Sequence, residues 1–124
     1  MNPCAAFATI FCISGILFIG CKKQQGAHVD ATQPLAQSFQ AAEPQVKEAV
    51  SVVNNNLKTQ NYLQAARALE PVTQYRNLTQ PQRDAIGVAL KQLKQAVDAN
   101  PSLDSKELYD LRVKMFKAAS GSRF

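Results

Sequence analysis

The sequence predicts an all-α fold: a small antiparallel bundle, or helical hairpins, of three to four helices behind a flexible N-terminal tether. Three observations predict it. Apolar residues beyond position 44 recur at spacings of three and four, the period of a helix face, rather than at two. Glutamine, asparagine and alanine are abundant while Val, Ile and Thr dominate no window, which favours helix over sheet. Proline, glycine and cap-forming residues fall between the periodic stretches, so the connections are short and successive helices become antiparallel neighbours.

Residues 21–43 read as a tether. They hold Gly26, Pro34 and many glutamines without a sustained apolar period, so mobility or partial helicity is expected. Within them Leu35 and Phe39, spaced i, i+4, allow a short helix that docks on the domain. His28, the only histidine, has no cysteine or carboxylate cluster around it.

The helical domain is expected over 44–124. Pro44 opens the first helix, being preorganised for a first turn. Val46, Val50, Val53 and Leu57 share one face, and Asn54-Asn55-Asn56, poor helix formers, predict fraying at its end. Asn61 with Gln64 fits a capping box for the second helix, whose apolar face is Tyr62, Ala65, Ala66 and Leu69. Pro71 predicts a stop or kink at Glu70.

Thr79 with Gln82 forms the capping box of the third helix, with Pro81 tolerated in the first turn. Ile86, Leu90, Leu93 and Val97 give its stripe, Gly87 permits a close helix approach, and Asn100-Pro101 ends it. The fourth helix takes Asp104 as cap and Glu107 three residues on, with Leu103 and Leu108 as a hydrophobic staple. Leu108, Leu111, Met115 and Ala119 form one stripe, and Tyr109, Val113 and Phe116 a second beside it. Gly121 stops the helix.

The N-terminal segment carries the strongest address. An uncharged apolar run, Pro3 to Gly20, ends at Cys21 and is followed at once by Lys22-Lys23. The stretch Phe18-Ile19-Gly20-Cys21 resembles the lipobox of bacterial lipoproteins. Its position, about 20 residues in, suits a secretory signal. Phe18 stands where that family usually has leucine, and no lysine or arginine precedes the core. The resemblance implies a signal peptide over 1–20, cleavage before Cys21, and acylation of the Cys21 sulfur. The alternative is a retained single-pass anchor, since the run reaches the lower limit of a bilayer-spanning helix. Cys4, Cys12 and Cys21 are the only cysteines. Cleavage would leave one, its sulfur occupied by lipid, so no intramolecular disulfide is available.

Asn61-Tyr62-Leu63-Gln64-Ala65 with Leu69 resembles the turn and second helix of a tetratricopeptide repeat. That family packs the tyrosine and alanine between the two helices of a hairpin and binds peptides on its concave face. Gln60 replaces the usual glycine and Val53 the small residue of the first helix. About three units are needed to bury stacked faces, and this chain has room for about two.

Chemistry finds little support. The sequence has no second histidine, no nucleophile-elbow or Ser-x-x-Lys serine and no glycine-rich phosphate loop. Its acids have no metal-ligand spacing. No enzyme, cofactor, metal or small-molecule substrate is expected. The net charge of +5 lies wholly beyond Cys21. Its lysines and arginines alternate with glutamine and acid, which argues against nucleic acid and for a solvated surface or weak attraction to anionic lipid.

The expectation is therefore a membrane-tethered helical lipoprotein of the cell envelope acting as a protein-interaction or scaffolding module. A structural envelope component without a specific partner is the alternative. A domain of about 80 residues has little surplus core, which makes a protein partner or a homo-oligomer natural. The candidate contact residues are Tyr109, Val113 and Phe116, with Arg112, Lys114 and Lys117 nearby; the competing reading places the three apolar ones in the core. Lysine after Cys21, in place of the aspartate that signals inner-membrane retention in well-studied lipoproteins, favours the outer membrane.

Overall fold

The computed structural model of the chain describes residues 28–122. The expected signal peptide, Cys21 and its cleavage site lie outside those residues. The described chain is all-α: α1 (Thr32–Ser38), α2 (Pro44–Lys58), α3 (Tyr62–Thr73), α4 (Gln80–Ala99) and α5 (Lys106–Ser120), with one 3-10 turn at Pro101–Leu103. No helix among these residues is long and apolar enough to cross a membrane.

The helices alternate in direction. Asn54 Nδ2 donates to the Thr32 carbonyl at 3.0 Å, tying the end of α2 to the start of α1. Gln92 and Gln82 of α4 bond to Ala31 and Ser38 respectively, so α1 and α4 are antiparallel. α3 and α5 run the same way, linked by Arg67–Glu107 and Glu70–Lys114. α1 packs on α2 and α4, α3 on α2 and α5, and α4 on α5, which closes a ring around one core. Leu35, Phe39, Val53, Leu69, Val72, Ile86, Leu93, Leu108 and Met115 are its largest fully buried side chains.

α1 changes the expected boundary between tether and domain. Ala31 and Leu35 are 0% exposed and Phe39 2%, so residues 31–39 belong to the core rather than to a tether. Seven residues are too few for a helix that stands alone in water, and α1 has no side-chain N-cap bond. Its stability is tertiary. α1 lies against both α2 and α4, with Leu35 and Phe39 buried in the shared core. Two α4 glutamines satisfy the backbone of the incoming chain: Val29 N–H donates to Gln95 Oε1 at 3.1 Å, and Ala31 N–H to Gln92 Oε1 at 2.9 Å. Gln92 is the one buried polar residue of the described core.

Four smaller expectations change. The asparagine run does not fray α2, because Asn54 is bound to α1 and Asn56 Nδ2 folds back to the Val52 carbonyl at 2.9 Å. Asn61 makes no side-chain cap bond, so the capping box expected of Asn61 and Gln64 is absent. α3 continues through Pro71 to Thr73, its last turn pinned by Val72, which is 0% exposed. The cap of α5 is Ser105, whose Oγ accepts from Leu108 N–H at 3.1 Å, while Asp104 turns to Arg112 instead. The Thr79–Gln82 capping box is present in both directions, and Gly121 ends α5 in the left-handed conformation at φ 67°.

Candidate interaction surface

α5 carries two apolar stripes, and one residue of offset rotates a side chain by about 100° on a helix. Both stripes cannot face one core. Leu108, Leu111 and Met115 are buried, which leaves Tyr109, Val113 and Phe116 57%, 36% and 62% exposed. The second stripe therefore does not complete the core.

It meets α4 along a groove of about 420 Å³. Tyr109, Val113 and Phe116 form the α5 wall, and Leu90 and Gly87 the α4 wall, with Lys91, Lys94 and Arg112 as the polar lining. Gly87 contributes backbone alone to the α4 wall. A methyl group built there would lie 3.8 Å from Ala119 Cβ, an ordinary contact, so the two helices do not require glycine to approach.

The charges of the groove are organised. Arg112 Nη2 donates to Asp104 Oδ1 at 2.6 Å, and its guanidinium carbon lies 5.8 Å from the centre of the Tyr109 ring, within cation–π range. Lys94 Nζ pairs with Asp98 one turn on, at 2.7 Å. Among the described residues no carboxylate lines the groove. The start of α5 is fixed to α3 by a bidentate pair, Arg67 Nε and Nη2 donating to Glu107 Oε1 and Oε2 at 2.6 and 2.8 Å. Those hydrogen bonds hold the Glu107 carboxyl below its ordinary range and raise the Arg67 guanidinium.

Four of the six residues singled out in the sequence come together here: Tyr109, Arg112, Val113 and Phe116. The other two do not. Lys114 reaches to Glu70 on the opposite flank of α5. Lys117 lines a separate hollow with Arg76 and Arg83, beside Gly121. Sequence reasoning missed Gly87, Lys91 and Lys94, and it assigned Leu90 to the core stripe. The available signal was their common face at i, i+3, i+4 and i+7, which acquires meaning only once α5 is known to lie beside it.

Among the described residues no three His, Cys, Asp or Glu side chains converge as metal ligands would. His28 lies in a small hollow with Asp30, Lys58 and Tyr62. Asp30 Oδ1 accepts from both the Thr32 hydroxyl, at 2.7 Å, and the Thr32 N–H, at 2.9 Å, and these bonds keep its carboxyl below the ordinary range. In comparison with known proteins, no family model, curated protein or solved structure matches this chain.

Proposed function

We propose that the chain is a lipid-anchored helical protein of the bacterial cell envelope, favoured on the periplasmic face of the outer membrane, that works as an interaction or scaffolding module. The observation that carries the proposal is Cys21, placed where an uncharged apolar run ends and Lys22-Lys23 begins, within a stretch resembling a lipobox. Acylation there attaches the chain firmly, since each buried CH₂ contributes about 0.8 kcal/mol and lipoproteins carry more than one acyl chain. The contact surface in this reading is the α4–α5 face. An exposed line of two aromatic residues and a valine, set among lysine and arginine, is the pattern of a binding site rather than of scattered surface residues.

The place of α1 in the core supports a close tether. Eight peptide units separate Cys21 from Val29, the first of the described residues hydrogen-bonded to α4, and they span about 29 Å at most when fully extended. A module anchored at Cys21 would stay within reach of its own membrane. The test is a Cys21→Ser variant expressed in a bacterial host. The wild-type chain should float with membranes, and the variant should accumulate as unprocessed precursor. Unchanged processing and flotation of the variant would refute the anchor.

A further inference from the structure

Resting on the anchor proposed above, we infer that the α4–α5 face docks on the anionic lipid surface of the membrane that holds the chain. Three observations converge on lipid as the occupant. The first is the composition of the face. Phe116 and Tyr109 stand 62% and 57% exposed along one line of α5, with Lys91, Lys94 and Arg112 beside them and no carboxylate among the described lining residues. Aromatic residues entering the headgroup region, with long basic side chains reaching the phosphates, are the pattern of interfacial helices.

The second is the length of chain outside the structure and where it ends. The leader joins the domain at Val29 and Ala31, bonded to Gln95 and Gln92 of α4, the same helix that supplies one wall of the groove. Its reach of about 29 Å is similar to the length of α5, about 22 Å for fifteen residues. The bilayer is therefore present at high effective concentration for the whole life of the protein, and a face with weak affinity for lipid stays occupied. Lys22 and Lys23, next to the anchor, add to the pull of anionic headgroups.

The third is charge. Lys94 and Arg112 are offset by Asp98 and Asp104. The uncompensated charge of the described lining is therefore that of Lys91, joined by Lys22 and Lys23 beside the anchor, and a second copy would bring more charge of the same sign. Anionic lipid meets that charge with the opposite sign.

The absence of tryptophan from the sequence makes a direct test available. The full lipid-anchored chain carrying Phe116→Trp is reconstituted in phosphatidylglycerol–phosphatidylethanolamine vesicles, and the emission is read with and without brominated acyl chains. Tyr109→Trp is a second reporter, and Val52→Trp, at a 45% exposed site on α2, is the control. The expected result is a blue shift and bromolipid quenching for the two groove reporters, both reduced by high salt, with solvent-like, unquenched emission from the control. Solvent-like emission at all three sites, on protein that floats with the vesicles, would overturn the docking and leave the anchor standing. A blue shift without quenching would overturn it in favour of a protein occupant, either a second copy or a partner helix. Equal quenching at all three sites would overturn the assignment of the face. Protein that fails to float would overturn the anchor itself, and the docking with it.

Discussion

Leu35→Ala tests whether α1 is part of the domain, and with it the length of the leader. Leu35 is 0% exposed and packed in the core cluster. The substitution removes three carbon groups from an apolar site, about 2.4 kcal/mol at ~0.8 kcal/mol each, and the cavity left between α2 and α4 adds to that. A loss of about 3 kcal/mol is expected. Domains of this size hold only ~0.05–0.15 kcal/mol per residue in total, so the effect takes a large share of the stability. It corresponds to a fall in Tm of roughly 12–24 °C, at 4–8 °C per kcal/mol. Urea unfolding followed by far-ultraviolet circular dichroism reads the change directly, with Gln37→Ala on the exposed side of α1 as the control. The control should stay within about 0.5 kcal/mol of wild type. A Leu35→Ala loss no larger than the control would mean that residues 31–39 are a tether after all, and the leader would then reach much farther than about 29 Å.

Further outcomes follow from single positions. Gly87→Ala should stabilise the domain by about 0.5–1 kcal/mol in the same urea assay, because the added methyl meets only Ala119 at 3.8 Å and the helix gains propensity; a loss would mean tighter packing than the geometry shows. Gln60 holds φ 59°, a left-handed conformation costing a non-glycine residue about 1–2 kcal/mol. Gln60→Gly should recover roughly half of that after the entropy glycine adds to the unfolded chain, and a fall in Tm would contradict it. Thr79→Ala removes one arm of the α4 capping box, with an expected cost of about 1 kcal/mol in the urea assay. Acid should weaken the fold through Asp30 and Glu107. Both carboxyls are depressed in the native state, so their contribution is full above the ordinary carboxylate range near about 4 and disappears as pH falls through the lowered values. Thermal melts across that range should show the decline, and Asp30→Asn should flatten part of it; an identical acid profile in the variant would rule out Asp30 as a contributor.

Much of the fold was legible because the strongest signals were periodic. Val46, Val50, Val53 and Leu57 on α2, and Ile86, Leu93 and Val97 on α4, lie on the buried faces that their spacing implies. The capping box at Thr79 and the glycine stop at Gly121 were readable because each is a local hydrogen-bond or backbone requirement. The failures were tertiary. The Leu35–Phe39 pair foretold the short docking helix that α1 is, but not its place inside the core, since nothing local reveals that Gln92 and Gln95, far along the chain, take up the backbone donors of Ala31 and Val29 just before it. Asn61 carries the right residues for a cap without the geometry, and Ser105 takes the role expected of Asp104 because Arg112 draws that carboxylate away. Gln60 is the most instructive case. Its backbone is left-handed at φ 59°, a conformation that favours glycine, and nothing about a glutamine at that position announces it.

The α5 half of the groove was visible as a second stripe, since Tyr109, Val113 and Phe116 are too regular to be incidental. Whether that stripe met core or solvent depended on how α5 is rotated against α3 and α4, which no local pattern encodes. The α4 half was hidden, because Leu90 fits the core period and Lys91 and Lys94 read as ordinary solvated lysines.

Mass spectrometry of the mature N-terminus, on protein extracted from bacterial membranes, bears most directly on the function proposed. The predicted result is a first peptide that starts at Cys21 and carries a thioether-linked diacylglyceryl group. A first peptide that starts at an unmodified Met1 would contradict it, and the short tether and membrane-docked face would lose their foundation.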